Sequence, residues 1–187
     1  VNQITAGDRR RWPLVPGDLL RAAALLSVVV STFTDGFIGF ALFMLVLGGV
    51  MVPRALGTPA VLDVAYCAML LFGAWAAQLD WYRRVGWLDV VVHACATGLV
   101  AAIGYVAARR LRLFSNDQPR GGVWLVTVCL GVTLAVLWEF GEWLGHALLD
   151  EHIQVGYDDT MGDLVAGLAG SVVAALLLAS RLPARRR

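Results

Sequence analysis

The sequence predicts an all-α polytopic membrane helix bundle, with about six transmembrane helices and both termini in the cytoplasm. Three observations predict it. The 187-residue chain is 59% hydrophobic and 16% charged, with a mean hydropathy of +0.71; a soluble domain is nearer half apolar and one quarter charged. The apolar residues gather in blocks of roughly 16–24, close to the ~20 that a helix needs to cross a bilayer. The arginines collect in alternate loops between those blocks. Residues 19–180 therefore read as a single transmembrane helical domain, between a cytoplasmic N-terminal tail, 1–18, and a cytoplasmic basic tail, 181–187.

The first block covers residues 19–33, with Arg21 near its start. Arg9, Arg10 and Arg11 ahead of it also suit a signal peptide, but no small-x-small cleavage site follows between Ser31 and Gly36, so the segment reads as an uncleaved helix. Asp35-Gly36 breaks the pattern before a second block at 37–52. The pair is either two thin spans or a tight hairpin, and two spans is the expectation. Pro53 and the Gly57-Thr58-Pro59 turn end it. Further blocks cover 60–77, 88–108, 122–149 and 163–180. The polar loop between 109 and 121 carries Ser115, Asn116, Asp117 and Pro119; the next runs from Asp150 to Thr160.

Orientation follows from the arginines, which favour the cytoplasmic side. With the N-terminus inside, Arg9–Arg11, Arg54, Arg109, Arg110, Arg112, Arg120 and the C-terminal Arg185–Arg187 all fall inside. The loop from Asp150 to Asp163 falls outside and holds no arginine. Arg83 and Arg84 are the exceptions. Tryptophans fit interfacial belts, Trp12 and Trp124 at the inner edge, Trp75, Trp81, Trp87 and Trp143 at the outer edge. This is the pattern expected of a bacterial cytoplasmic (inner) membrane protein, with the lipid bilayer as its first partner; a net charge of +1 gives no nucleic-acid surface. Cys67, Cys95 and Cys129 lie singly inside apolar blocks and read as small packing residues.

On that topology the ionisable residues of three helices reach one depth. Asp89 and His93 share a face in the fourth helix, Glu139, Glu142 and His146 form a stripe in the fifth, and Asp159 and Asp163 stand at the start of the sixth, because residues three or four apart are neighbours on a helix. Glu139 lies about 9 Å inward of a helix end near Gly145 at ~1.5 Å per residue. A charge near the bilayer centre costs roughly 2.5–3.5 kcal/mol, so the economical arrangement turns all three stripes toward one another. The carboxylate face of the sixth helix continues as Gly167, Gly170, Ser171 and Ala174, small residues that let helices approach closely. Asp89, His93, Glu139, Glu142, Asp159 and Asp163 are thus the candidate polar site. His93, Glu139, Glu142 and Asp163 are its candidate ligands for a divalent metal such as zinc, since imidazole and carboxylate are suitable donors. Without a metal the same groups could share protons or simply fix helix register, and these readings stay open. His146, His152, Asp150, Glu151 and Asp158 read as solvated; Asp35 and Asp80, on the outer side with no helical partner at i+4, rank below the cluster; Asp63 reads as a first-turn residue favouring the helix dipole, and Tyr66 and Tyr105 as packing.

The second half resembles a known type. Asp89-x3-His93, then Trp138-Glu139-Phe140-Gly141-Glu142-Trp143, then Tyr157-Asp158-Asp159-Thr160-Met161-Gly162-Asp163 followed by Gly167 and Gly170, is similar to the YjdF-like bacterial inner-membrane proteins. More distantly it resembles the VanZ-like family, associated with low-level glycopeptide resistance, which tends to carry glutamine where this chain has Glu142. The resemblance covers about residues 85–178. It implies a multi-pass membrane architecture and a polar site at this position. The leading functional expectation is a site opening to the outer face that acts on a lipid or envelope precursor. The alternatives are a proton-coupled carrier or small-solute binder, and a non-catalytic accessory membrane subunit. No enzyme motif is present to decide among them, and the sequence does not name a protein partner.

Overall fold

Gly36 decides how the first forty helical residues are used. In the computed structural model, which describes residues 14–115, 117–153 and 155–181, helix α1 spans Gly17–Leu56. A straight helix of that length would extend about 60 Å, yet Arg21 Nε donates to the Val50 carbonyl at 2.9 Å and Arg54 Nε lies 3.6 Å from Asp18 Oδ1. The chain doubles back at Gly36, whose backbone (φ 64°, ψ −138°) is non-helical and lies in a region that side chains with a Cβ rarely enter. The two arms, 17–35 and 37–56, are each about 30 Å long at 1.5 Å per residue, enough to cross a bilayer core. They close on each other where the fully buried Ser31 meets Gly39, a position with no room for a Cβ. The question of two spans or a hairpin therefore has one answer: two antiparallel arms joined by a one-residue reversal.

The remaining elements are α2 (Ala60–Gln78), the short α3 (Trp81–Arg84), α4 (Leu88–Arg110), α5 (Arg120–Leu148) and α6 (Tyr157–Ser180). Gly57, left-handed at φ 57°, ends α1 by donating back to the Arg54 and Pro53 carbonyls. No strand occurs among the described residues. Five helices are long and apolar enough to cross a membrane, and the α1 hairpin makes six crossing segments. The readings placed on Arg9–Arg11, Trp12, Asn116 and Arg185–Arg187 lie outside the described residues.

Two packing regions hold the bundle. In the first, Ala24, Val28, Phe43, Val46 and Val50 of α1 pack on Tyr66, Cys67 and Ala74 of α2 and Ile103 of α4. Trp75 packs here: its ring lies 4.9 Å from Phe43 and its Nε1 donates to Ser27 Oγ at 3.0 Å. In the second, α4, α5 and α6 meet through small residues. A Cβ on Gly98 would stand 2.8 Å from the Gly170 carbonyl oxygen, and one on Gly131 would stand 2.7 Å from Ser171 Cβ. Where hydrocarbon removes the hydrophobic drive, such close approach is what binds helices. It also holds the start of α4, the end of α5 and the start of α6 together at one end of the bundle.

Candidate functional site

Three helix ends each bring a carboxylate to one imidazole. His93, one turn inside α4, places Nε2 3.4 Å from Oδ1 of Asp89, its neighbour at i−4. The same nitrogen is 3.8 Å from Asp163 Oδ2 of α6, and Nδ1 is 3.9 Å from Glu139 Oε1 of α5. Asp163 reaches this depth because α6 begins at Tyr157, six residues earlier than the apolar pattern indicates, and carries Asp158 and Asp159 in its first turn. Two sets of potential ligand atoms result, Asp89–His93–Asp163 and His93–Glu139–Glu142, each within 4.8 Å of one another. The side chains are 19% exposed at Asp89, 14% at His93, 10% at Glu139 and 5% at Asp163.

The separations bear on the chemistry. An N–H···O bond closes to 2.7–3.2 Å, and all three His93 contacts are longer. Two ligand atoms each about 2.0–2.1 Å from a tetrahedral ion stand about 3.4 Å apart, which is the spacing of Asp89 and His93. The charge balance agrees. Several carboxylates face one imidazole, which supplies one positive charge at most, so a low-dielectric site of this kind calls for a further cation or for protons.

Beside the cluster lies a cavity of about 430 Å³, walled by Asp89, Asp158, Asp159 and Asp163 together with Tyr82 and Arg83. Tyr82 and Arg83 come from α3, a one-turn helix that apolar patterning does not signal. The Tyr82 hydroxyl donates to the Gly73 carbonyl at 2.9 Å. Burial, and behind it the carboxylates of Asp89, Glu142 and Asp163, push this phenol up, so it stays a neutral donor. Arg83 donates to the His152 carbonyl at 2.6 Å, which ties α3 to the loop after α5.

Not every ionisable residue nearby joins the cluster. His146, on the same stripe as Glu139 and Glu142, turns its Nδ1 to the Ile153 carbonyl at 2.7 Å. His152 and Asp150 pair within their own loop, where the His152 backbone N–H, donating at 2.9 Å, holds the Asp150 carboxyl below the usual range. A second ionic centre sits at the opposite end of the bundle. Arg21 and Asp63 form a two-pronged, buried ion pair; Asp18 adds a bond to Arg21 at 3.1 Å, and Cys67 Sγ lies 3.5 Å from Asp63 Oδ1. Asp63, 4% exposed, is therefore more than a first-turn dipole residue. Asp18 and Arg21, three apart, and Asp63 and Cys67, four apart, are its local pairs.

Fold and cluster together define a multi-pass α-helical membrane protein with a partly buried histidine–carboxylate centre at one end of its bundle. The comparisons narrow this: residues 19–184 match the family described as a predicted membrane protein (DUF2238), and the chain belongs to that family. A protein of Thermotoga maritima, described as uncharacterized, is 31% identical over 93 residues, 49% of this chain. The matched stretch is 47% of that relative, so the chain spans about half the length of the curated relative it matches. No solved structure matches.

Proposed function

We propose that this chain is a bacterial inner-membrane protein whose histidine–carboxylate cluster faces outward, binds a divalent cation such as zinc, and acts on a lipid or envelope precursor. One observation carries the reading: His93 Nε2 stands 3.4 Å from Asp89 and 3.8 Å from Asp163, with Glu139 3.9 Å from the other ring nitrogen, distances longer than direct N–H···O bonds in a group of donors suited to a cation. The outward placement rests on the arginines, which crowd the other end of the bundle. The lipid or envelope precursor rests on the ionisable stripes of three helices meeting at one depth in a membrane-spanning bundle, with a cavity beside them.

A proton-coupled carrier gains some support from Asp18 and Asp63 at the opposite end, but both are already engaged by arginine. Between the two ends, α4 and α6 close backbone against backbone at Gly98 and Gly170.

Metal retention tests the reading. Purified protein should hold one divalent ion per chain, released by chelator. Glu139→Gln and Asp163→Asn should weaken retention, and His93→Ala should abolish it with helicity intact. Variants that fold as well as the parent around a cluster that takes up no added zinc would leave proton sharing or helix register as its role, since removing a buried charge often stabilises.

A further inference from the structure

The cavity holds one cationic side chain that the cluster does not use. Arg83 stands on its wall among four aspartates, and its neighbour Arg84 is the other arginine of the same short helix. Its guanidinium reaches the His152 carbonyl at 2.6 Å and Asp80 at 4.0 Å, and a group with five N–H donors has others to offer. Asp163 faces the same space. Its side chain is 5% exposed, and its contact is His93 Nε2 at 3.8 Å, beyond hydrogen-bonding range. With Asp89 3.4 Å from the same ring nitrogen, the three side chains form a group of donor atoms open to an ion between them.

Of the two ligand sets, only Asp89–His93–Asp163 contributes its carboxylates to the cavity wall. An ion held there has its open side toward the cavity, and Glu139, at the other ring nitrogen, is placed to orient the imidazole. Aspartates alone would repel an anion; a divalent ion on the triad offsets Asp89 and Asp163 and, with Arg83, gives an anion two positive contacts. The volume, about 430 Å³, is at the low end for ligand pockets and suits a headgroup, not acyl chains. Val90 on the wall is exposed and gives acyl chains an apolar contact at the cavity's edge.

We infer that the cavity takes the phosphate-bearing headgroup of an amphiphile, with one phosphate oxygen on the cation held by Asp89, His93 and Asp163 and another on Arg83. A planar fork is the side chain suited to such an oxyanion. The inference rests on the cation-binding reading of the cluster.

The test uses the full chain in detergent micelles, loaded with zinc and titrated calorimetrically with dihexanoyl phosphatidic acid, inorganic phosphate and dihexanoyl phosphatidylcholine. Phosphatidic acid should bind only with zinc present and outcompete both other probes by about tenfold or more. R83A should lose about tenfold in that affinity while keeping its zinc; R83K, which keeps the charge but not the fork, should lose less; R84A, off the cavity wall, should lose nothing. Zinc-loaded protein that ignores phosphatidic acid, binds it equally well in R83A, or prefers free phosphate overturns the inference and leaves the cation site standing. Protein that takes up no zinc overturns both.

Discussion

Replacing Asp63 with alanine takes from the buried Arg21 guanidinium its two-pronged partner, with Asp18 left on one nitrogen. The Arg21 and Asp63 side chains are 8% and 5% exposed, and Arg21 spends its donors on Asp63, Asp18 and the Val50 carbonyl. Removing one partner of a buried pair typically costs about 3–5 kcal/mol, because the other charge stays desolvated. For a chain of this size 1 kcal/mol moves the melting temperature by roughly 2–4 °C, so D63A should melt about 6–20 °C lower. Heat unfolding in micelles followed by tryptophan emission reads this, since Trp75 bonds Ser27 within the same packing region. The double variant R21L/D63L should recover much of the loss, because apolar replacements of a whole buried pair are often neutral. A D63A protein melting within about 2 °C of the parent, or a double variant less stable than D63A, would refute the assignment of this pair as the clamp between the α1 hairpin and α2.

Other outcomes follow from the same geometry. Gly170→Leu should abolish the folded monomer on size exclusion, because a Cβ there overlaps the Ala94 carbonyl, whereas Gly48→Leu, with open space around it, should be tolerated. Gly36→Ala should destabilise by about 1–3 kcal/mol through backbone strain at φ 64°, measured as a lowered melting temperature, even though nothing there would touch the added methyl. Reporter fusions at Gly57 and Asp117 should read cytoplasmic and one in the loop at Glu151 external; an external reading at Asp117 would place the cluster on the cytoplasmic side.

The parts of this fold that were legible in the sequence are those written in local periodicity. Apolar block length marks the crossing segments, and Asp35-Gly36 marks the reversal because glycine at a break has a conformational reason to be there. The stripes Asp89/His93 and Glu139/Glu142 can be read at i+4 and i+3, and the Gly167–Gly170–Ser171 face announces the close packing that α6 makes with α4 and α5. What could not be read is set by contacts between distant segments. Arg21 finds Asp63 across 42 residues, and no helical spacing links them. Trp75 meets Phe43 and Ser27 of the α1 hairpin, contacts that its position near a helix end does not announce. Tyr82 and Arg83 sit in a single helical turn, too short to leave a periodic signal, so the cavity wall was invisible. The start of α6 was read six residues late because its first turn is acidic, and an acidic first turn is favourable at a helix N-terminus for reasons unrelated to apolar patterning.

X-ray absorption at the zinc edge, on protein carrying one equivalent of zinc, looks straight at the cluster. A cation held at Asp89, His93 and Asp163 gives one imidazole nitrogen among carboxylate oxygens, at about 2.0–2.2 Å, and the imidazole signature disappears in His93→Ala. A spectrum of hydrated zinc alone, or one with sulfur ligands, or one that His93→Ala leaves unchanged, would contradict a cation site at this cluster.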